Sequence, residues 1–292
     1  MPPTSQEQIA FLNGDFLPLE EAKVPVLDRG FIFGDGIYEV VPVYGGKPFR
    51  WEHHLARLKR SLDRISIKNP MTDQEWTALV GAMVSRHPWA DQFIYMQITR
   101  GVAKREHLFP AQATPTVFAM CSELIPMPEK YRSSGIAVVT LPDERWLNCD
   151  IKSVSLLGNV LARQAAAEAD ATECLMFRDG LLTEGSASNI WIVRNGSVLA
   201  PRRDTRILEG IRIGLLEELC TASGLNLEFR NITREETLKA DEILVTSATK
   251  EILPATLIDG QPVGDGQPGP VFRKLYAAYQ TVKANAISQQ SE

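Results

Sequence analysis

Residues 150–159, Asp-Ile-Lys-Ser-Val-Ser-Leu-Leu-Gly-Asn, place one lysine, Lys152, among apolar neighbours just ahead of an alanine-rich stretch. A primary amine in that setting is a candidate nucleophile, because a desolvated lysine can add to a carbonyl. Downstream, Thr183-Glu184-Gly185-Ser186-Ala187-Ser188-Asn189 is rich in small and hydroxyl residues, with a single carboxylate near its head. Ser247-Ala248-Thr249-Lys250-Glu251-Ile252-Leu253-Pro254 reads as a second hydroxyl-bearing turn. Residues 100–115 form a loop that gathers Arg100, Lys104, Arg105 and His107 between two apolar segments. Taken singly, each stretch has a plain alternative: a solvated lysine, an exposed tight turn or a basic surface loop.

The whole chain narrows the chemistry. Its 292 residues suit two domains of roughly 100 to 200 residues each. A hydrophobic content of 44% and a charged content of 23% are ordinary for a globular protein. The net charge of −5 argues against a nucleic-acid partner, whose phosphates call for a basic excess, and favours small-molecule partners. The four cysteines, Cys121, Cys149, Cys174 and Cys220, form no Cys-x-x-Cys pair, so a reducing cytoplasm is expected. The first eight residues lack the basic and apolar regions of a secretory signal, and no apolar run approaches the ~18 residues of a membrane span. His53, His54, His87 and His107 fall in no metal-ligand spacing, so no metal is expected.

The elements that must carry these residues follow from pattern. Residues 8–50 alternate apolar runs with turn residues, as β-hairpins do, and residues 37–44 are the clearest strand. Alternation sends Tyr38, Val40 and Pro42 to one face and Ile37, Glu39 and Val41 to the other. Leu55, Leu58, Leu62 and Ile65 recur at helical spacing over residues 52–65, placing Arg57 one turn beyond His53 and His54. A second helix is expected over 73–86, ended by Pro88, with strands over 93–99 and 116–122. The two prolines within residues 125–131 read as a linker. Beyond it, strands are expected over 135–140, 173–177, 180–183, 188–193 and 241–246. Helices are expected over 156–168, 210–223 and 271–284. The amides that open the 210–223 helix could bind an anion.

Together these stretches resemble the fold-type IV pyridoxal-phosphate aminotransferases, the family of branched-chain and D-amino acid transaminases and aminodeoxychorismate lyase. The resemblance rests on Asp28-Arg29-Gly30-Phe31-Ile32-Phe33-Gly34-Asp35-Gly36-Ile37-Tyr38-Glu39, His54-Leu55-Ala56-Arg57-Leu58, Ile151-Lys152-Ser153, Thr183-Glu184-Gly185-Ser186 and Thr246-Ser247, five motifs in order along nearly the whole chain. Arg105-Glu106-His107 is similar to the Arg-x-His element of the D-amino acid branch, and residues 146–153 add to that likeness.

The resemblance implies an α/β (α+β) fold of two domains. These are a small N-terminal one over 1–124, a linker over 125–133, and a larger one over 134–292 with a pseudo-barrel of mainly β-strands. It implies pyridoxal 5'-phosphate as cofactor, held covalently by Lys152, which also moves the proton. Glu184 would face the ring nitrogen. Arg57, the amides of Ile211 and Arg212, Ser247 and Ala248 would surround the phosphate, with Ser188 and Leu208 nearby. Tyr38, Arg105 and His107 would trap the substrate carboxylate, with Val40 and Phe33 beside the side chain. A homodimer is implied, each site receiving Arg105 and His107 from the neighbouring subunit, with D-amino acids and 2-oxo acids as substrates.

Three positions depart from the family pattern: Ala248 where a phosphate-binding threonine is usual, Arg212 where threonine is common, and Ala187 in place of a serine. Arg212 is expected to offset the hydroxyl missing at Ala248. Within the family the rival is a branched-chain L-amino acid transaminase. Outside it stand a non-catalytic ligand-binding protein and a dinucleotide-binding oxidoreductase, for which Gly34-Asp35-Gly36 is too little, since no G-x-G-x-x-G follows a strand and opens a helix.

Overall fold

A nine-residue strand whose alternate side chains are buried organises the first part of the chain. This is Gly36–Tyr44, where Ile37, Glu39, Val41 and Val43 turn inward while Tyr38 and Val40 are only half-buried. The computed structural model describes residues 8–288; the stretch over residues 1–7 read above for a leader lies outside the described residues. Contacts divide the chain into two units, Met1–Ile125 with Ile151–Ser155, and Pro126–Asp150 with Leu156–Glu292.

The first unit runs β1 (Ile9–Leu12), β2 (Asp15–Pro18), α1 (Arg29–Phe33), β3 (Gly36–Tyr44), β4 (Lys47–Pro48), α2 (Trp51–Arg64), α3 (Asp73–Ser85), β5 (Gln92–Thr99) and β6 (Thr116–Glu123). Its strands form one antiparallel sheet in the order β2-β1-β6-β5-β3-β4. One face is closed by α2 and α3: Leu58 and Leu62 from α2 and Trp76 and Met83 from α3 join Val41, Ile94 and Met96 in a single cluster. Each fully buried leucine there contributes about 1.5–3 kcal/mol. Thr72 and Glu75 close a reciprocal capping box at the start of α3, which satisfies two amides that would otherwise be stranded. The short α1 is opened by Asp28, which accepts from the Gly30 amide, and ended by Gly34 at φ 66°, a left-handed turn that glycine adopts without a Cβ clash.

Residues 134–292 are expected to form one domain, whereas contacts group Ile151–Ser155 with the first unit. In the structure the Lys152 segment lies along β3 instead. The Tyr38 amide donates to the Lys152 carbonyl at 2.9 Å, the Val154 amide to Gly36 at 3.0 Å, and Ile37 bridges Ser153. Residues 126–133 group with the second unit and carry the short helix α4 (Lys130–Ser133).

The second unit continues with β7 (Ile136–Pro142), α5 (Leu157–Glu168), β8 (Glu173–Arg178), β9 (Leu181–Leu182), β10 (Asn189–Arg194), β11 (Ser197–Ala200), α6 (Ile211–Ala222), β12 (Leu227–Phe229), α7 (Arg234–Leu238), β13 (Glu242–Ser247), β14 (Glu251–Ile258), β15 (Gln261–Pro262) and α8 (Pro270–Ser288). Its sheet is a curled half-barrel with the order β12-β11-β10-β13-β14-β7-β8-β9, β15 pairing β14. Strands β8, β10 and β13 are buried along nearly their whole length, as continuous apolar runs covered on both faces should be. The turn expected over residues 247–254 is shorter than read: it spans 248–250, and Glu251 begins β14. Pro254 faces Leu244 of β13, while β7 joins β14 only from Ala255 onward. A proline that cannot complete two ladders therefore sits where only one is built.

Candidate active site

In the first unit, hydrogen bonds to β3 at Lys152 and at Val154 fix the backbone around Lys152. Its Nζ lies 4.0 Å from the centre of the Tyr38 ring, and its amide donates to Ser61 Oγ on α2 at 3.4 Å. Tyr38 in turn stacks on Tyr95 with ring centres 5.7 Å apart. The lysine is half-buried, so its amine stands over an aromatic face.

Arg57 is buried on α2, and Glu39 of β3 meets it with both oxygens, at 2.7 Å to Nε and 2.8 Å to Nη2. His54 Nδ1 contacts the same carboxylate at 2.9 Å. Burial pushes the Glu39 carboxyl up, but the Arg57 charge, its forked hydrogen bonds and His54 outweigh that and hold it well below the usual carboxylate range. Glu39 therefore fixes the plane of the Arg57 guanidinium. Alternation had placed Glu39 on the face opposite Tyr38, and that holds.

Arg105 and His107 are exposed and rest on Phe33. The Arg105 Cζ lies 5.5 Å from the Phe33 ring centre, and the His107 ring lies 5.5 Å from it. Phe33, expected beside a substrate side chain, carries both residues on its ring. Val40 stands half-buried on the Tyr38 face.

In the second unit, Glu184 is 6% exposed. Its Oε1 pairs with Arg145, and its Oε2 accepts from the Leu208 amide at 2.9 Å and from Asn189 Nδ2 at 3.3 Å. Leu208 thus acts through its backbone. A carboxylate has about four lone-pair directions, so one N–H more can be received. Burial raises the Glu184 carboxyl to about 7, against the pull of Arg145 and the Leu208 amide and with the push of Asp143. The contrast with Glu39 has a plain cause. Arg145 gives Glu184 one nitrogen and spends its Nε and Nη2 on Asp143, both at 2.9 Å. Neither Arg145 nor Asp143 was picked out from sequence; a buried charge opposite Glu184 was the signal that should have been sought.

Ser188 donates to Glu173 Oε2 at 2.9 Å. That carboxylate also takes Ser186 and Lys250, the latter at 3.2 Å. Burial raises Glu173, but the Lys250 charge and the serine and amide donors bring it below its ordinary value.

Gly210 opens α6 with no side-chain capping hydrogen bond, so the amides of Ile211 and Arg212 begin a twelve-residue helix whose positive end suits an anion. A Cβ at Gly210 would stand 2.1 Å from Asn189 Oδ1, so any side chain there would have to displace Asn189. Ser247 Oγ accepts from the Lys250 amide at 3.1 Å, shaping the turn that includes Ala248. Arg212 donates to the carbonyls of Ser247 and Ala248 at 3.4 and 3.0 Å. Its guanidinium, expected to offset the hydroxyl missing at Ala248, also braces the turn. Each unit by itself thus offers donors suited to a phosphate: an oriented arginine in the first, helix amides and a serine in the second.

Residues 36–258 match the family described as amino-transferase class IV. The chain is 40% identical over 268 residues to a D-alanine aminotransferase of Bacillus licheniformis, covering 92% of this chain and 94% of that protein. Among solved structures it is similar to the Escherichia coli branched-chain amino acid aminotransferase, with a TM-score of 0.89 and 21% identity over 94% of each chain, a likeness of fold. It is also similar to a T.th. branched-chain amino acid aminotransferase solved with pyridoxamine 5'-phosphate, with a TM-score of 0.86 and 25% identity over 97% of this chain and 94% of that one. With a family match over residues 36–258 and a relative 40% identical over 92% of its length, this chain belongs to the class IV amino-transferases.

Proposed function

We propose that this chain is a D-amino acid transaminase. It transfers the amino group of a D-amino acid such as D-alanine to a 2-oxo acid such as 2-oxoglutarate, giving pyruvate and D-glutamate in a ping-pong sequence. The observation that carries this reading is the near full-length, 40% identity to a protein named D-alanine aminotransferase.

The cofactor is pyridoxal 5'-phosphate, which when bound supplies a carbonyl that condenses with amines and a ring that accepts the electron pair left by proton removal. Lys152 Nζ is the amine that holds it and then takes the proton from the substrate Cα. Tyr38, in ring contact with Nζ, restricts where that amine points. Glu184 receives the ring N–H. Arg145 and the Leu208 amide keep its oxygens aimed. Arg57, the Ile211 and Arg212 amides and Ser247 hold the phosphate, while Arg212 braces the turn at Ala248.

Stereochemistry follows from one constraint. Either enantiomer must point its Cα hydrogen at Lys152, so the two exchange the positions of carboxylate and side chain, and the cationic pocket decides the hand. Arg105, His107 and Tyr38 are the trap, with Val40 beside the side chain. The assembly that completes the site is a homodimer in which Arg105 and His107 reach the neighbouring copy. In support, the loop that bears them is exposed and flanked by exposed apolar side chains, among them Phe31 at 73% and Leu108 at 74%. Surfaces of that kind mark contacts between proteins. We place the enzyme in the cytoplasm, in keeping with four buried, free cysteines.

Purified protein incubated with 2-oxoglutarate and either D-alanine or L-leucine tests the assignment. Formation of D-glutamate from D-alanine is expected. Turnover of L-leucine alone would instead favour the branched-chain activity named for the similar solved structures.

A further inference from the structure

Arg29 is 3% exposed and has no part in the chemistry described so far. Its Nε donates to Asp35 Oδ2 at 2.7 Å. Its Nη1 donates to the Glu106 carbonyl at 2.6 Å and to Leu108 at 3.4 Å, and its Nη2 to His107 at 3.5 Å. Three consecutive carbonyls of the cationic loop therefore converge on one guanidinium.

The same Asp35 carboxylate accepts from Arg100 Nε at 2.7 Å and Nη2 at 2.9 Å. Arg100 lies 3.6 Å from the centre of the Phe109 ring and donates to the carbonyls of Ile65 and Ser66, just past α2, at 2.7 and 3.0 Å. Phe33 completes the arrangement: it carries Arg29 at 4.8 Å as well as Arg105 and His107.

The side chains of residues 104–109 are exposed; Arg105 and His107 rest on Phe33 and Phe109 on Arg100, but none is buried in a core. A buried guanidinium, in contrast, is costly unless its donors are met. Swinging the loop away would strand Arg29, which couples loop position to the satisfaction of a buried charge. Resting on the D-specific reading above, we propose that Arg29, oriented by Asp35, is a positioning residue that holds residues 105–108 in one conformation, so that Arg105 and His107 offer the substrate carboxylate a preformed trap seated on Phe33. Preorganisation of this kind lowers the ordering cost met on binding.

The test uses the cofactor-loaded enzyme. In Arg29→Lys a single ammonium cannot span Asp35 and three carbonyls; in Phe33→Leu the ion pairs stay and the seat is lost. For each, KM and kcat with D-alanine, the ratio of D- to L-alanine turnover, the absorption of the bound cofactor and amide exchange over residues 104–109 are measured. Unchanged absorption, faster loop exchange, a KM raised about tenfold, a kcat within about threefold and a smaller D-to-L ratio are expected, the mark of lost carboxylate recognition. A global packing defect would not move the D-to-L ratio, since both enantiomers use the same lysine. Should Arg105→Ala raise KM while Arg29→Lys, or Phe33→Leu if the former does not fold, leaves KM and the D-to-L ratio at wild-type values, Arg29 has no positioning role and only this proposal fails. If Arg105→Ala itself has no effect, the trap reading fails and takes this one with it.

Discussion

Arg145 meets Glu184 with one nitrogen while gripping Asp143 with two others, and that uneven sharing leaves the buried Glu184 carboxyl raised to about 7. A group raised in the folded state adds stability that is complete below its unfolded value of 4.5 and is lost as pH rises through about 7. Ionised Glu184 is also the form that receives a ring N–H. Affinity of the apoenzyme for pyridoxal phosphate, titrated from about pH 5.5 to about 8.5, should therefore rise through a step near 7 that Glu184→Gln abolishes. The same step in both proteins would show that another group titrates.

Lys152→Ala should keep bound cofactor through Arg57, α6 and Ser247 but lose turnover by about two to four orders of magnitude, the scale of a positioned proton-transfer group. Single-turnover kinetics with D-alanine, read alongside the cofactor absorption, separate loss of chemistry from loss of cofactor. Near-normal turnover would end the assignment of Lys152.

Arg105→Ala removes a forked, charge-assisted contact and should raise KM for D-alanine about tenfold to hundredfold, with the cofactor still loaded. The dimer reading adds a second check. Mixed dimers of Arg105→Ala and Lys152→Ala subunits should regain one intact site, while each parent alone is impaired. Absence of any recovery on mixing would argue that Arg105 serves its own subunit.

Glu39→Gln leaves Arg57 buried without its counter-charge and should cost about 3–5 kcal/mol of unfolding free energy in urea. The pH dependence has a definite sign. Glu39 is depressed in the folded state, so its contribution is present above the unfolded value of 4.5 and is lost as pH falls below it. The stability gap between wild type and variant should thus narrow in acid.

Arg212→Thr removes the brace on the Ser247–Ala248 turn and should weaken pyridoxal phosphate affinity about fivefold to tenfold, as loss of hydrogen bonds to a buried turn would. Equilibrium dialysis of the cofactor reads this directly, and equal affinities would leave the brace without a role in the cradle.

Local pattern was enough to find the elements that carry the chemistry. The helix bearing Arg57 follows from leucines at helical spacing, and the opposite facing of Tyr38 and Glu39 follows from the two-residue period of a strand. The family was legible because five spaced motifs stand in order. Tertiary structure decided what each charge meets. Glu39 closing on Arg57, Arg145 on Glu184, and Arg29 on the carbonyls of residues 106–108 join positions 18, 39 and about 78 residues apart. No local period records such pairs, because they form only when the chain must satisfy charges it has buried. For the same reason only the folded loop shows that Arg105 and His107 rest on the Phe33 ring.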